Sequence, residues 1–401
     1  MNSENYTETT PTIPRTQVWP IALITITISG FSYSLGLTYT VISLVLESRG
    51  YNESQIGLNG TLSGLGIFVS SMLVPKLAGW IGYRKLVIAS ALGSAVLIIL
   101  LPVFDSFVFW CFARFGMGFL VTGIFVGGEA WLNEMSEDRY RGRVMGIYAM
   151  VTAGGFAAGP FTVGLVGIDS FLPFAICAGV LVICALSVTP LSGSDVKPSD
   201  HLTLTQSIMN LPKVAALIPT LTFAILTMAY FEAASHSLMP AYFSSLDFDD
   251  TKIGLFIGLL FIGAIPAMPL VGWLGDRFDS RDMLTVMTVL SLGLCLLFPA
   301  IDFRSWAVYP FLTALGAVIF GTYTLALTEM GNRFKGAALI AAMSGASIAW
   351  GIGSTVGPYT SGWAMKQFGN NALPMSFAII YSVLLLIALY RRKAPKKVIK
   401  S

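Results

Sequence analysis

Twelve apolar stretches recur along a chain of 401 residues, most of them long enough to cross a membrane as helices, given a hydrocarbon core of about 30 Å. They fall near residues 19–46, 56–78, 86–104, 107–133, 143–167, 171–190, 213–243, 252–274, 284–300, 305–330, 337–364 and 372–390. Inside lipid no water satisfies a bare backbone N–H or C=O, so only helices and closed barrels can span. These runs are continuously apolar and lack the in–out alternation of barrel strands, which leaves helices. Only 11% of the residues are charged, against about 25% in a soluble globular domain. The expected fold class is an all-α polytopic membrane protein.

The basic residues orient the chain. If both ends share a side, that side holds nineteen of the 24 Lys and Arg, and the opposite loops hold only Arg49, Lys252, Arg304 and Lys366. Such a bias marks the cytoplasmic side. Both termini are therefore expected in the cytoplasm and the protein in a plasma membrane, the bacterial inner membrane in particular. The one remaining basic residue, Arg114, lies inside a span. Residues 1–18 form a polar tail without a cleavable-signal pattern. Residues 191–212 read as a cytoplasmic linker, with room for a short interfacial helix from Leu202 to Met209, and residues 391–401 as a basic tail beside anionic lipid. The spans divide six and six, into 19–190 and 213–390. Cys111, Cys177, Cys184 and Cys295 all sit in spans and read as small buried apolar groups. No phosphate loop, thiolate metal site or nucleophile–base pair stands out. No nucleotide, nucleic acid, cofactor or enzymatic activity is expected, and a monomer in the lipid bilayer suffices.

The two halves echo each other. Gly155, Gly159, Pro160 and Gly164 recur as Gly353, Gly357, Pro358 and Gly362. Pro75 to Lys85 aligns with Gly272 to Asp282, Glu134-Met135 with Glu329-Met330, and Arg141-Gly142 with Lys335-Gly336, all at offsets between 194 and 198. Four landmarks in one order imply a duplicated six-helix unit, and such repeats usually alternate access to a site between the halves.

Ionisable groups at membrane depth cost a few kcal/mol and face a protein interior or an aqueous cavity. In the fourth span Arg114, Gly118, Val121, Phe125 and Glu129 lie along one helical stripe. Arg114 and Glu129 stand roughly 22 Å apart at about 1.5 Å per residue, so they serve different depths. In the seventh span Glu232 and His236 are one turn apart and share a face with Met228 and Met239. Glu232 and Glu129 are candidates for exchanging a proton, His236 for sharing charge with Glu232, and Arg114 for reading an anion or pairing with Glu232. The structural alternatives are an arginine lock, a snorkelling Glu129, and a Glu232 or His236 that ties helices together.

Gly272-Trp273-Leu274-Gly275-Asp276-Arg277-Phe278-Asp279-Ser280-Arg281 resembles the signature between spans 8 and 9 of the major facilitator superfamily. Its first-half counterpart keeps Gly82, Arg84 and Lys85 but has Gly79 where the family carries aspartate. Arg114 to Gly118 resembles the family's span-4 motif, and Gly155 to Gly164 its span-5 motif associated with antiporters. Gly128 to Asn133, followed by Arg141-Gly142-Arg143, resembles the bacterial branch of YcaD-like transporters. The resemblance implies two pseudo-symmetric six-helix bundles, with spans 1, 4, 7 and 10 lining a central cavity. It further implies a gate built on Arg84, Asp276, Arg277 and Arg281, with the first-half gate lacking its aspartate.

On those cavity spans Tyr33, Ser34, Tyr39 and Tyr323, with Met228 and Met239, would suit an amphipathic or weakly polar ligand. Helix–helix packing explains small hydroxyl residues equally well. The Gly-Pro pairs 159–160 and 357–358 bend or slide their helices. The expectation is a secondary transporter of a small amphipathic compound, driven by the proton gradient as an export antiporter. Uptake or facilitated diffusion of a small anionic metabolite is the alternative, and a non-transporting membrane sensor on the same fold a third.

Overall fold

The computed structural model describes residues 15–191, 218–334 and 336–392. Residues 1–14 and 393–401 of the tails, the linker from residue 192 with Leu202 to Met209, and Lys335 lie outside the described residues. The first half comprises α1 (Arg15–Ser48), α2 (Glu53–Ile81), α3 (Tyr83–Leu100), α4 (Phe107–Met135), α5 (Asp138–Val166) and α6 (Leu172–Ser187). The second comprises α7 (Pro219–Ser244), α8a (Asp250–Ile262), α8b (Ala264–Arg277), α9 (Ser280–Leu297), α10 (Val308–Arg333), α11 (Gly336–Phe368) and α12 (Ala372–Arg392). Nine of the described helical segments are long and apolar enough to cross a membrane by length and composition. The face where α1 begins and α12 ends is called here the N/C face, and the opposite one the distal face.

The eighth span, expected as one run, is broken at Gly263. Pro266 and Pro269 carry no N–H, so the carbonyls of Ile262 and Ile265 lose their helical donors. The Gly263 N–H still reaches the Leu259 carbonyl, at 3.4 Å. Gly263 also rests on α10, where an added Cβ would collide with the Thr313 carbonyl.

Four helices carry the assembly through close backbone approach. In α5, Gly155 and Gly159 press on the Ser29 and Tyr33 carbonyls of α1. In α11, Gly353 and Gly357 press on the Leu226 and Tyr230 carbonyls of α7. Each proline then frees the carbonyl four residues before it. The freed Phe156 carbonyl points at Gly36 of α1, and the freed Ser354 carbonyl at Gly64 of α2. Small residues allow such packing where lipid supplies no hydrophobic drive. The repeat extends to side chains: the Tyr33 hydroxyl bonds Thr162 at 2.7 Å, and the Tyr230 hydroxyl bonds Thr360 at 2.9 Å.

The halves meet mainly near the distal face. The Pro358 carbonyl abuts Gly57, and its repeat mate, the Pro160 carbonyl, abuts Gly254. Thr61 donates to the Thr355 carbonyl at 2.8 Å, Ser43 to the Ser237 carbonyl at 2.8 Å, and Ser244 to the Glu47 carboxylate at 2.7 Å. Towards the N/C face, Gly79, Gly146, Gly272 and Gly331 have open space where a Cβ would stand. The molecule is closed on the distal side.

A Gly57→Leu side chain would overlap the Pro358 carbonyl and pry this seam. Overpacking costs about 1–3 kcal/mol, and about 1.4 kcal/mol is tenfold in an equilibrium. A Ser43→Cys thiol, buried in the seam, should then react roughly tenfold faster with an impermeant thiol reagent added from the distal side. Equal labelling with and without Gly57→Leu would mean the seam does not govern access.

Candidate functional site

Arg114, Tyr39 and His236 meet just inside the distal seal. The Arg114 guanidinium lies over the Tyr39 ring, 4.2 Å from its centroid. The His236 ring is 5.2 Å from that of Tyr39 and 4.6 Å from that of Phe156, and stacks on Phe261 at 4.1 Å and 4°. Tyr39 and Phe156 belong to the first half, His236 and Phe261 to the second. The Tyr39 hydroxyl reaches Ser63 of α2 at 3.3 Å.

The repeat explains this meeting. Tyr33 matches Tyr230 at the offset that also matches Tyr39 to His236, so the two rings face each other across the pseudo-twofold axis. The charges break the symmetry. Gly118 packs on the Ser63 carbonyl as Gly316 packs on that of Leu260; in that register Leu312 stands where Arg114 would recur, and in the Tyr33–Tyr230 register Leu35 stands at the place of Glu232.

Arg114 is only 2% exposed, and its Nε and Nη1 have no hydrogen-bond partner. Among the described residues no carboxylate pairs with it, so pairing with Glu232, one of the two roles open to it, is not formed in this structure. A cation over an aromatic face gains about 0.5–2 kcal/mol, less than an uncompensated buried charge costs. Both His236 ring nitrogens are likewise buried without a partner. Glu232 is half-buried one turn nearer the N/C face. Glu129 is exposed at the other end of its stripe, whose intervening Gly118 and Val121 are buried. Tyr323 of α10 lies within electrostatic reach of both Glu129 and Glu232. Its ring packs edge-on against Trp350 at 5.3 Å. Arg114, Glu232, Tyr323 and Glu129 are thus spread in depth between the seal and the N/C face.

Several residues expected along a cavity make packing or hydrogen-bond contacts in this distally closed structure. Ser34 turns into the first bundle and donates to the Cys177 carbonyl at 3.1 Å. Met228 and Met239 are 1% and 0% exposed, because α7 is flanked by protein on almost every side. Tyr33 spends its hydroxyl on Thr162 of α5. Asn133 donates to the Glu129 backbone carbonyl at 3.1 Å. All four cysteines are buried and free.

The gate residues lie far from this layer, at the N/C face. Arg277 covers the Trp273 ring at 4.1 Å. Arg281 lies within electrostatic reach of Asp279, Glu329, Arg333 and Arg391, and Glu329 pairs with Arg333. Arg84 is half-buried with its Nε unpartnered. The Asp276 side chain lies outside the described residues. Phe156 and Phe261, which complete the aromatic seam, were not expected from the sequence; they sit beside the Gly-Pro pair of α5 and the Gly263 break of α8, which are the available signals.

Two repeated bundles joined at one face, around a buried guanidinium without a carboxylate partner, have the build of a carrier. The Major Facilitator Superfamily model matches residues 22–334 and also residues 221–401. The chain belongs to the Major Facilitator Superfamily and is a multi-pass membrane protein performing secondary transport of a small organic molecule by alternating access. It is similar to the uncharacterized MFS-type transporter YfkF of Bacillus subtilis, at 26% identity over 352 residues, covering 87% of this chain and 88% of that one. It is also similar to the uncharacterized MFS-type transporter YcaD of Escherichia coli, at 24% over 382 residues, with 93% and 96% covered. Among solved structures, the nucleoside transporter NupG superposes with a TM-score of 0.77 at 14% identity, covering 94% of this chain and 100% of that one. A bacterial homologue of the lysosomal transporter Spinster, inward-facing and unoccupied, gives 0.75 at 13%, with 94% and 96% covered.

Changing Tyr39 tests the cover on the guanidinium. Tyr39→Phe keeps the ring and should shift stability by less than about 1 kcal/mol, the worth of one hydrogen bond. Tyr39→Leu uncovers the cation and should cost about 1–3 kcal/mol more, from the lost cation–π contact and a cavity. Thermal unfolding in detergent distinguishes them; equal losses would mean the ring does not hold Arg114.

Proposed function

We propose that this chain carries a small organic anion by uptake or facilitated diffusion, with its N/C face in the cytoplasm of a bacterial inner membrane. The observation behind the reading is the Arg114 guanidinium, sealed under the aromatic seam with two donors unused. A ligand shifts a two-state protein only by its differential affinity for the two states. When the seam parts towards the distal face, Arg114 and Tyr39 form one wall of the opening, and the guanidinium can receive an anion from that side. When the seam closes, the rings return to one another and the ligand is left to the N/C side. The orientation rests on the excess of Lys and Arg on the N/C side.

Export of an amphipathic compound has the α5 Gly-Pro pattern behind it. That pattern has a packing role here, repeated by Gly357 and Pro358 of α11, so it favours neither direction.

The test uses purified protein in liposomes and labelled succinate, glutamate, gluconate and glycerol 3-phosphate. Uridine serves as the neutral probe, since one structural neighbour is a nucleoside transporter, and tetraphenylphosphonium as the cation. Wild type should take up at least one of the anions. Arg114→Gln should lower that uptake at least about a hundredfold, two charge-assisted hydrogen bonds being worth about 1.5–3 kcal/mol each. Arg114→Lys should fall between, because lysine keeps the charge but not the planar fork. Transport confined to uridine or tetraphenylphosphonium and insensitive to Arg114→Gln would overturn the reading.

A further inference from the structure

We infer that the anion this chain carries best is a planar aromatic carboxylate, its carboxylate held by Arg114 and its ring by the seam between Tyr39 and His236. The inference rests on the anion reading above and narrows it to one chemical class.

The seam already holds one ring in that place. Tyr39 touches both ends of the site at once: the Arg114 guanidinium lies 4.2 Å from its ring centroid, and the His236 ring 5.2 Å from it. A ligand of one ring and one carboxylate therefore has the length to reach from guanidinium to imidazole. His236 has one face covered by Phe261 of its own half, at 4.1 Å and 4°. Its ring neighbours from the other half, Tyr39 and Phe156, are tilted against it by 55° and 50°. Parting of the halves strips away those two rings and keeps the stack on Phe261. The second half is then left with a flat, uncovered imidazole face. The first is left with Tyr39 over a guanidinium whose Nε and Nη1 have no partner.

The two walls differ in polarity. On the first half Asn59 and Ser63 stand one turn apart on α2, 1% and 4% exposed. The Ser63 and Tyr39 hydroxyls bond at 3.3 Å, and the Asn59 amide reaches the Cys111 thiol in a long contact of 3.9 Å. Cys111 in turn lies within electrostatic reach of Arg114. In the register that matches Gly118 to Gly316, the places of Asn59, Ser63 and Arg114 are taken by Phe256, Leu260 and Leu312, all buried. Behind His236 the second wall continues in rings, Phe261 meeting Phe320 of α10 at 5.8 Å. The His236 nitrogens lie at the rim of the imidazole and leave its face free for stacking. A ligand charged at one end and flat and apolar at the other matches this pair of walls.

A ligand shifts the equilibrium between open and closed states only by what it gains in one over the other. Any small anion gains Arg114. An aromatic ring also replaces the contacts of Tyr39 and Phe156 with His236 that opening breaks, whereas a saturated chain or a sugar acid has no π-face to offer. Aromatic pairs add to the area they bury. Aromatic acids should be bound best, and aliphatic anions more weakly.

Calorimetry on the detergent-purified protein tests the class, since weak acids leak across lipid vesicles. Benzoate is compared with cyclohexanecarboxylate, which keeps size and charge without the flat ring, and with benzamide, which keeps the ring without the charge. Wild type should bind benzoate about three- to tenfold more tightly than cyclohexanecarboxylate, the worth of one aromatic pair. Benzamide should bind at least about tenfold more weakly than benzoate. Arg114→Gln should lose both acids, and His236→Leu should bring them within about twofold of each other. Both acids lost in Arg114→Gln, but with a wild-type preference below about twofold, overturns the aromatic class and leaves the anion reading standing. Neither acid bound, while Arg114-dependent uptake of an aliphatic anion persists, does the same; with no such uptake, both fall. Benzamide bound as well as benzoate, or benzoate binding unchanged in Arg114→Gln, sinks the anion reading and the class with it. A preference for benzoate that survives in His236→Leu overturns the placement of the ring. Should the variants fail to fold, the wild-type comparison of the three probes decides alone.

Discussion

Glycine against carbonyl is the contact on which this architecture stands. Helices in lipid gain nothing by hiding apolar surface from one another, so they associate through close packing and polar contacts. Here α5 lies on α1, and α11 on α7, through glycines that admit the neighbour's backbone. The prolines one residue after Gly159 and Gly357 free carbonyls that face further glycines. The Pro160 and Pro358 carbonyls then meet Gly254 and Gly57 across the divide between halves. One short motif, used twice, builds each bundle and joins the two. Contacts of this kind are steric and nearly all-or-none, which suits a joint that closes on one face or the other.

The symmetry of the scaffold makes its departures informative. Tyr39 and His236 occupy matching places and meet at the axis, so the seam is aromatic from both sides. Arg114 and Glu232 have leucines at their counterparts, Leu312 and Leu35. A duplicated scaffold needs neither charge, and both are costly at membrane depth. Their retention in one copy each points to work done on a ligand or a proton. Arg114 has the ring of Tyr39 but no carboxylate, and His236 has rings on three sides and no hydrogen bond. These are the groups a transported species can satisfy.

Much of the fold was legible because it is written in hydrophobicity and in glycine. The spans follow from apolar length, and the repeat from Gly155 to Gly164 against Gly353 to Gly362. The break of α8 was missed because an apolar run hides it, although Gly263, Pro266 and Pro269 marked it. The site was legible only in part. Arg114, Glu232 and His236 announce themselves as polar residues in apolar runs. Which side of a helix faces a cavity does not, since α7 and the distal half of α1 are flanked by protein on almost every side, and so Ser34, Met228 and Met239 make packing contacts here. The meeting of Tyr39 with His236 could have been found by extending the repeat register along α1 and α7. The roles of Phe156 and Phe261 depend on tertiary approach, which a single sequence does not encode locally.

The central claim is that the two halves rock about the seam as near-rigid bodies. Paired spin-label distances test it most directly. One pair, Asp105→Cys with Arg304→Cys, sits on exposed distal loops of opposite halves, and the other, Lys76→Cys with Arg277→Cys, on the N/C face. The account predicts a short distal distance in the resting protein. It also predicts a second population under transport conditions, in which the distal pair lengthens while the N/C pair shortens by a comparable amount. Distances that lengthen together, or a distal pair that never moves while cargo crosses, would contradict it.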